Sequence, residues 1–194
     1  MDKKFVKSLE EYLNKSITVA NTMKDLIPKI NDLAVLLEET AERGGRIYLM
    51  GNGGSGATAS HMAADLNKTA IRPNKKRFIA HCLNDNMPVL TAWSNDDSYE
   101  SVFVEQLKNF LKKDDVVIAF SGSGNSKNVV KAIEYANEIG AFTVGISGEI
   151  NENGGMLGKL SKMAIVVPDN NMYRIEDFHL FINHALIYAF KQNE

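Results

Sequence analysis

Cysteine is almost absent from this sequence, and its scarcity restricts the kinds of site that the chain can form. Of 194 residues, Cys82 alone carries a thiol. One cysteine excludes an intramolecular disulfide framework and a zinc module built on several cysteines. Cys82 lies in the apolar segment RFIAHCL, which predicts a buried structural thiol rather than a nucleophile.

An excess of charge of one sign and long apolar runs are also missing. With 22 Lys and Arg against 24 Asp and Glu, the formal net charge is −2, which excludes the basic footprint of a nucleic-acid-binding protein. No apolar run approaches the ~18 residues that span a bilayer, and the segment MDKKFVKSLEEYLNKS has no signal-peptide core. We expect a soluble, cytoplasmic protein without a nucleic-acid or membrane partner. Its length and 44% hydrophobic content suit a single domain over residues 1–194.

The sequence does contain a regular alternation of helical and strand patterns. Apolar residues at three- and four-residue spacing predict an N-terminal helical segment over about residues 1–43, which Pro28 bends or divides. Such alternation is typical of an α/β three-layer sandwich with a five-stranded parallel sheet covered on both faces. Strands are predicted near 46–50, 77–83, 115–120, 141–146 and 163–167, and the clearest later helices near 99–111, 128–140 and 172–191.

The first of two glycine-rich segments, Gly51 to Gly56, matches the pattern G-x-G-x-x-G of dinucleotide-binding loops. A dinucleotide site also needs an acidic residue about twenty positions later to bind the ribose. The corresponding segment IRPNKKRF has none, and Asp85 lies beyond the usual spacing. Neither segment ends in the Gly-Lys-Ser/Thr of a nucleotide P-loop. The sequence therefore does not predict a nucleotide cofactor.

The second segment, SGSGNS, lies between a predicted strand and a predicted helix. Its glycines permit a tight turn with inward amides. Ser121, Ser123 and Ser126 add hydroxyl donors, and a helix N-terminus favours negative charge. This combination favours a site for a phosphate group. The alternative is a flexible Gly/Ser turn in which Ser126 is an ordinary N-cap.

Several segments, in order, resemble the sugar isomerase (SIS) domain family, and within it the isomerases of heptose phosphates. They are the helical N-terminus, GNGGSGATASHMAADL, SNDDSYESVFVEQL, DDVVIAFSGSGNSKNVVKAI and RIEDFHLFINHALI, so the resemblance spans nearly the whole chain. It implies a flavodoxin-like SIS domain and a homotetramer with sites at subunit interfaces. The implied substrate-binding residues are Asn52, Gly53, Ser55, Asp96, Ser121, Ser123, Ser126 and Glu176, of which the three serines bind phosphate.

The resemblance also implies a zinc site and two catalytic residues, with Asp65 as the base and His184 as the acid. The implied metal ligands are His61, Asp65, Glu176 and His184. His61 and Asp65 are four residues apart on a predicted helix and so share a face. Two imidazoles and two carboxylates would neutralise a zinc ion. Taken singly, each histidine also suits a structural or exposed position.

Some positions depart from the family pattern. Asp65 stands where the family has Glu, Glu176 where it has Gln, Gly122 where it has Thr, and Tyr173 where it has Asp. The family's Arg after the first helix of the fold is missing, with Lys68-Thr69 nearby. An aspartate is one methylene shorter than a glutamate, which withdraws its carboxylate by about 1.5 Å. These departures leave two points open: which phosphosugar is the substrate, and whether Asp65 acts as an effective base.

The resemblance implies an aldose–ketose isomerase that interconverts a ketose phosphate and an aldose phosphate through an enediol. The implied pair is sedoheptulose 7-phosphate and D-glycero-D-manno-heptose 7-phosphate. Two alternatives stay open at this point: a non-catalytic SIS regulator that binds a phosphosugar, and an isomerase of another phosphosugar.

Overall fold

The N-terminal part of the protein is a pair of helices packed on one side of the sheet. The computed structural model describes residues 3–193. Helix α1 covers Val6–Thr22, a 3-10 turn covers Met23–Leu26, and α2 covers Ile27–Glu42. Pro28 lies in the first turn of α2, where its missing N–H leaves no hydrogen bond unmade. Proline therefore divides this region into two helices rather than bending one.

The centre of the fold is a five-stranded, all-parallel sheet with the order β2-β1-β3-β4-β5. The strands are β1 Ile47–Gly51, β2 Ala80–Cys82, β3 Val116–Ser121, β4 Phe142–Gly148 and β5 Met163–Val167. Every residue of β1 and β3 is buried. This explains why these strands are continuous apolar runs rather than alternating ones.

Helices cover both faces of the sheet. The remaining helices are α3 Gly53–Ala64, α4 Met87–Asp96, α5 Val104–Phe110, α6 Lys127–Ile139, α7 Gly155–Leu160 and α8 Met172–Gln192. Ile47 and Leu49 of β1 pack into one apolar core with residues of α2, α3 and α8. Tyr48 and Met50 pack into a second core with residues of α5, α6 and α7. The predicted three-layer α/β fold is confirmed.

Some element boundaries were predicted wrongly. The second strand is reduced to three residues because it pairs only with β1 at the sheet edge, and Ile79 just before it is 41% exposed. The helix predicted from Tyr99 begins at Val104. Helix α4 has no buried residue, so periodicity did not reveal it, and the glycines of α7 concealed a short helix. Among the described residues, no helix combines the length and apolar character that crossing a bilayer requires.

The strand order places a topological switch between β1 and β3. From β1 the chain crosses to β2 at one edge, and from β3 it proceeds to β4 and β5 at the other. Parallel sheets bind ligands in the crevice outside the carboxyl ends of the strands at such a point. Both glycine-rich segments begin there, because β1 ends at Gly51 and β3 ends at Ser121.

Candidate functional site

The serine-rich loop after β3 is an ordered turn rather than a flexible one. The Gly124 amide donates to the Ser121 carbonyl oxygen at 3.0 Å. Gly124 has a φ of +67°, and a Cβ there would collide with the Gly154 carbonyl. The Asn151 side-chain amide donates to the Ser123 carbonyl oxygen at 2.8 Å. These contacts fix the loop from within and from the β4 side.

Two hydroxyl groups of this loop lie together, as a phosphate site would require. Ser121 Oγ and Ser126 Oγ are 3.1 Å apart, and Ser123 Oγ accepts a hydrogen bond from the Asn125 amide at 3.3 Å. Ser126 is the N-cap residue of α6, yet its side chain makes no capping hydrogen bond. The alternative role of an ordinary N-cap is therefore not the one that the Ser126 side chain has.

The loop after β1 is tied to the first turn of α6 by a pair of asparagines. Asn52 and Asn128 exchange two side-chain hydrogen bonds, each 2.9 Å long. Tyr99 Oη donates a third, also 2.9 Å, to Asn52 Oδ1. Asn52, which we predicted to bind substrate, thus has both amide atoms engaged within the protein. Ser55 is 4% exposed in the first turn of α3, and Gly53 beside it is exposed.

Helix α8 crosses both loops. Near its start, Met172 packs where a Cβ on Gly122 would lie, which is a reason for glycine at the position where the family pattern has Thr. One turn later, the Glu176 carboxylate lies against the backbone of Gly54, close enough that a Cβ there would collide with it. Two turns further on, the His184 ring meets the His61 ring edge-on, with centroids 5.1 Å apart.

The two helices bring together His61, Asp65 and His184. One ligand atom from each lies within 4.8 Å of the others. The His61 Nε2 to Asp65 Oδ2 distance is 3.3 Å. Both histidines are exposed and Asp65 is half-buried, so the three side chains form an open cluster. The implied base and acid therefore lie side by side, although one comes from each of two helices far apart in the chain.

The donor set of this cluster fits a divalent ion. Two imidazoles and one carboxylate are a known ligand set of catalytic zinc, which keeps a further position for water or substrate. Ligand atoms on a tetrahedral zinc with bonds of about 2.05 Å are about 3.3 Å apart, as are those of His61 and Asp65. Glu176, the fourth implied ligand, is not a member of the cluster.

Within residues 3–193, Asp96 makes no hydrogen bond to either loop. It ends α4, is exposed, and accepts a hydrogen bond from Asn95. Beside the first loop, however, α4 forms one wall of a groove of about 460 Å³, a size that accommodates a small ligand. Its lining includes Gly53, Gly56, Asn84, Leu90 and Tyr99.

The SIS domain family model matches residues 11–148. Phosphoheptose isomerase of Helicobacter pylori strain P12 is 37% identical over 177 residues, which are 91% of this chain and 90% of that protein. The chain belongs to the phosphoheptose isomerase family. Phosphoheptose isomerase of Leptospira biflexa (strain Patoc 1 / Ames) is 36% identical, covering 92% of this chain and 91% of its own.

Solved structures agree with this family membership. Phosphoheptose isomerase from Neisseria gonorrhoeae superposes with a TM-score of 0.88 at 26% identity, covering 97% of this chain and all of that one. The Vibrio vulnificus NanR protein complexed with ManNAc-6P has a TM-score of 0.60 at 16% identity, covering 93% of this chain and 62% of that one. The second likeness shows a common fold and no more.

Sequence reasoning missed residues that support the site of this family member. Asn128 and Asn183 are fully or nearly fully buried polar residues on the apolar faces of α6 and α8. A polar residue at a core position of an amphipathic helix was a readable signal. No such signal pointed to Thr69 or Tyr99.

Burial raises the pKa of the Cys82 thiol to about 12, in agreement with the structural thiol that the sequence predicted.

Proposed function

We propose that this chain interconverts sedoheptulose 7-phosphate and D-glycero-D-manno-heptose 7-phosphate through an enediol. The observation that carries the proposal is the meeting of Asp65, at the end of α3, and His184 of α8, the two helices that begin beside the glycine-rich loops. Family membership supports the reaction class, because the curated relatives at 36–37% identity are phosphoheptose isomerases. A purely regulatory role is less well supported, because the RpiR transcription factor from Sphaerobacter thermophilus, whose sugar isomerase domain has a similar fold, shares only 14% identity.

The phosphate of the substrate would be bound by the serine loop. In the proposal, Ser121, Ser123 and Ser126 supply hydroxyl donors, and the N-terminus of α6, which begins after Ser126, adds amide donors. Anchoring the phosphate fixes the far end of a seven-carbon chain. In an assembly with sites at subunit interfaces, the Asp65 and His184 that meet its carbonyl end would come from another copy. In the proposal, Asn52, Gly53, Ser55, Asp96 and Glu176 contact the sugar between these ends.

The proton transfers can be written for the ketose. Asp65 removes a proton from C1 while His184 donates its ring proton to the C2 carbonyl oxygen, giving the enediol. The C1 hydroxyl then returns a proton to His184, and Asp65 delivers its proton to C2, giving the aldose with no net proton change. Each carboxylate oxygen has two lone pairs, so Asp65 can accept this proton while its internal hydrogen bonds remain.

His61, Asp65 and His184 would hold zinc in this proposal. When bound, the ion would supply a Lewis acid that polarises the carbonyl and stabilises negative charge on the enediol oxygens. The residues of the chain position the substrate and move the proton. Glu176, although implied as a ligand, has its carboxylate against Gly54 and is assigned here to sugar contact.

A homotetramer with sites at subunit interfaces is also part of the proposal. Helix α1 carries an apolar stripe at four-residue spacing that its own chain leaves uncovered. Phe5, Leu9, Leu13 and Ile17 are 66%, 66%, 59% and 52% exposed, whereas Val19 is the one buried residue of α1. Such a stripe on a helix is typical of a contact with another copy.

The test is deuterium incorporation followed by NMR. In deuterated buffer with zinc, the protein should convert the ketose to an aldose that carries deuterium at C2. Asp65→Asn should lower the rate about a hundred- to ten-thousandfold, and the exposed Asp32→Asn on α2 is the matched control. Absence of both product and exchange with sugar phosphates of five to seven carbons, with and without zinc, would contradict the proposed function.

A further inference from the structure

Both oxygens of the Asp65 carboxylate are held by neighbouring side chains. Thr69 Oγ1 donates to Asp65 Oδ1 at 2.9 Å. Asn183 Nδ2 donates to Asp65 Oδ2, also at 2.9 Å, and this is the oxygen that lies 3.3 Å from His61 Nε2. Since Thr69 follows α3 and Asn183 belongs to α8, the carboxylate is fixed from two separate elements.

Asn183 is placed where its amide is unfavourable unless it binds something. It lies on the buried face of α8 beside Ile182 and Leu186, and it has no exposed surface. Its Oδ1 has no hydrogen-bond partner among residues 3–193, so the bond to Asp65 is what favours asparagine over leucine here. The neighbouring His184 is exposed. Two consecutive residues of α8 therefore have different roles: Asn183 bonds Asp65 from the buried side, and His184 faces the open cluster.

Thr69 reaches Asp65 through an unusual turn. Helix α3 continues into a π-helical turn, Asp65–Thr69, in which the Ala70 amide donates to the Asp65 carbonyl oxygen at 2.8 Å. Single π turns are rare in proteins, and those that occur are often located at functional sites. Two departures from the family pattern are therefore in contact: the shorter acid at 65 and the Lys68-Thr69 pair near the missing Arg.

We propose that Asn183 and Thr69 are positioning residues that hold the short Asp65 carboxylate in place and direct its Oδ2 toward His61 and His184. The terminal torsion of an aspartate is broad, and a misplacement of about 1 Å can lower a rate a hundredfold. Two hydrogen bonds, one on each oxygen, remove that freedom. The kinetic part of this inference rests on the proposed function, whereas the metal and stability parts do not.

The test compares Asn183→Leu and Thr69→Val with a control. Each should weaken zinc or cobalt binding about ten- to a hundredfold, because hydrogen bonds to ligating carboxylates contribute by that factor. Each should lower kcat by a similar factor, with KM changed less than about threefold. Thr143→Val is the control, because buried Thr143 donates to Asn137 of α6 at 2.8 Å, on the face of the sheet opposite to the one that α3 and α8 cover. It should lose stability and keep both metal affinity and kcat.

A rescue variant separates positioning from a general packing defect. A glutamate at 65 should overreach the place that Asn183 and Thr69 define, so Asp65→Glu should lower kcat. In the Asn183→Leu background the longer acid no longer depends on the amide, and Asp65→Glu should recover at least about tenfold of the lost kcat. Metal affinity and kcat in Asn183→Leu and Thr69→Val that match those of Thr143→Val would overturn the proposal. If Asn183→Leu does not fold, Thr69→Val tests the proposal by itself, because Thr69 is only half-buried and its substitution disturbs the core less.

Failure of the proposed function would give a different pattern of results. The unaltered protein would then neither isomerise sugar phosphates nor take up metal. The hydrogen bond between Asn183 and Asp65 can still be tested by the urea unfolding midpoints of Asn183→Leu, Asp65→Ala and the double variant. Asn183→Leu should shift the midpoint when Asp65 is present and have a smaller effect when it is absent. Equal shifts in both backgrounds would overturn the positioning role.

Discussion

Acid should destabilise this protein through His179, a histidine that the site does not use. His179 has no exposed surface, and neither ring nitrogen has a hydrogen-bond partner among residues 3–193. The ring packs against Phe120, with centroids 5.7 Å apart. Burial lowers the pKa of His179 from 6.5 to about 4, and the nearby backbone of Ser147 acts in the opposite direction. The folded protein therefore keeps this ring neutral well below the pH at which a free histidine is protonated.

The magnitude follows from the two pKa values. Because the pKa of His179 is lower in the folded state, the unfolded chain binds the proton first, and stability falls as the pH falls from about 6.5 to about 4. A shift of one pKa unit corresponds to about 1.4 kcal/mol. The full loss below pH 4 is thus about 3 kcal/mol, and about 2 kcal/mol of it should be present at pH 5.

The assay is urea unfolding of the unaltered protein and of His179→Gln at pH 7 and pH 5. Glutamine has a similar volume and no charge in this range, so it removes the titration whatever its effect at pH 7. Between the two pH values the unaltered protein should lose about 2 kcal/mol more than the variant. All other ionisable groups are common to the two proteins, so their contributions cancel in the comparison. Parallel losses in the two proteins would refute the argument.

Three other predictions concern the loop, the phosphate and the assembly. Gly124→Ala should destabilise the protein at least about 2 kcal/mol more than Gly44→Ala, because only at Gly124 does a clash with Gly154 add to the positive φ; equal urea midpoints would contradict this. Ser126→Ala should raise KM about ten- to a hundredfold with kcat little changed, and an unchanged KM would remove Ser126 from the phosphate site. Leu13→Asp should reduce the mass measured by light scattering while the circular dichroism spectrum stays constant, and a persistent tetramer would show that α1 is not the contact.

The fold could be predicted because it depends on patterns summed over many residues. Continuous apolar runs identified β1 and β3, where every residue is buried. The fifth strand was predicted at its observed bounds, Met163–Val167. Helix α4 was missed because its residues face the groove and the solvent, with none buried, so no periodic burial was imposed on its sequence.

The serine loop was predicted from its own residues, whereas most of the other site residues were predicted from the family pattern. His61 and Asp65 could also be placed on one helix face by their spacing. Their meeting with His184 depends on how α8 packs against α3, which no local pattern encodes. The partners of Asp65 were not predicted, because the Asn183 bond joins residues that are 118 positions apart.

Because the partners of Asp65 lie far from it in the chain, the shorter acid at position 65 does not by itself decide whether the base is competent. Shortening a side chain moves its carboxylate by about 1.5 Å, but catalysis depends on where the carboxylate lies relative to the reacting carbon. That position is set jointly by the backbone of α3, the π turn after it and the amide that α8 supplies. A change at one of these should therefore be deleterious alone and tolerated with a compensating change at another, so residue 65 has to be judged together with residues 69 and 183.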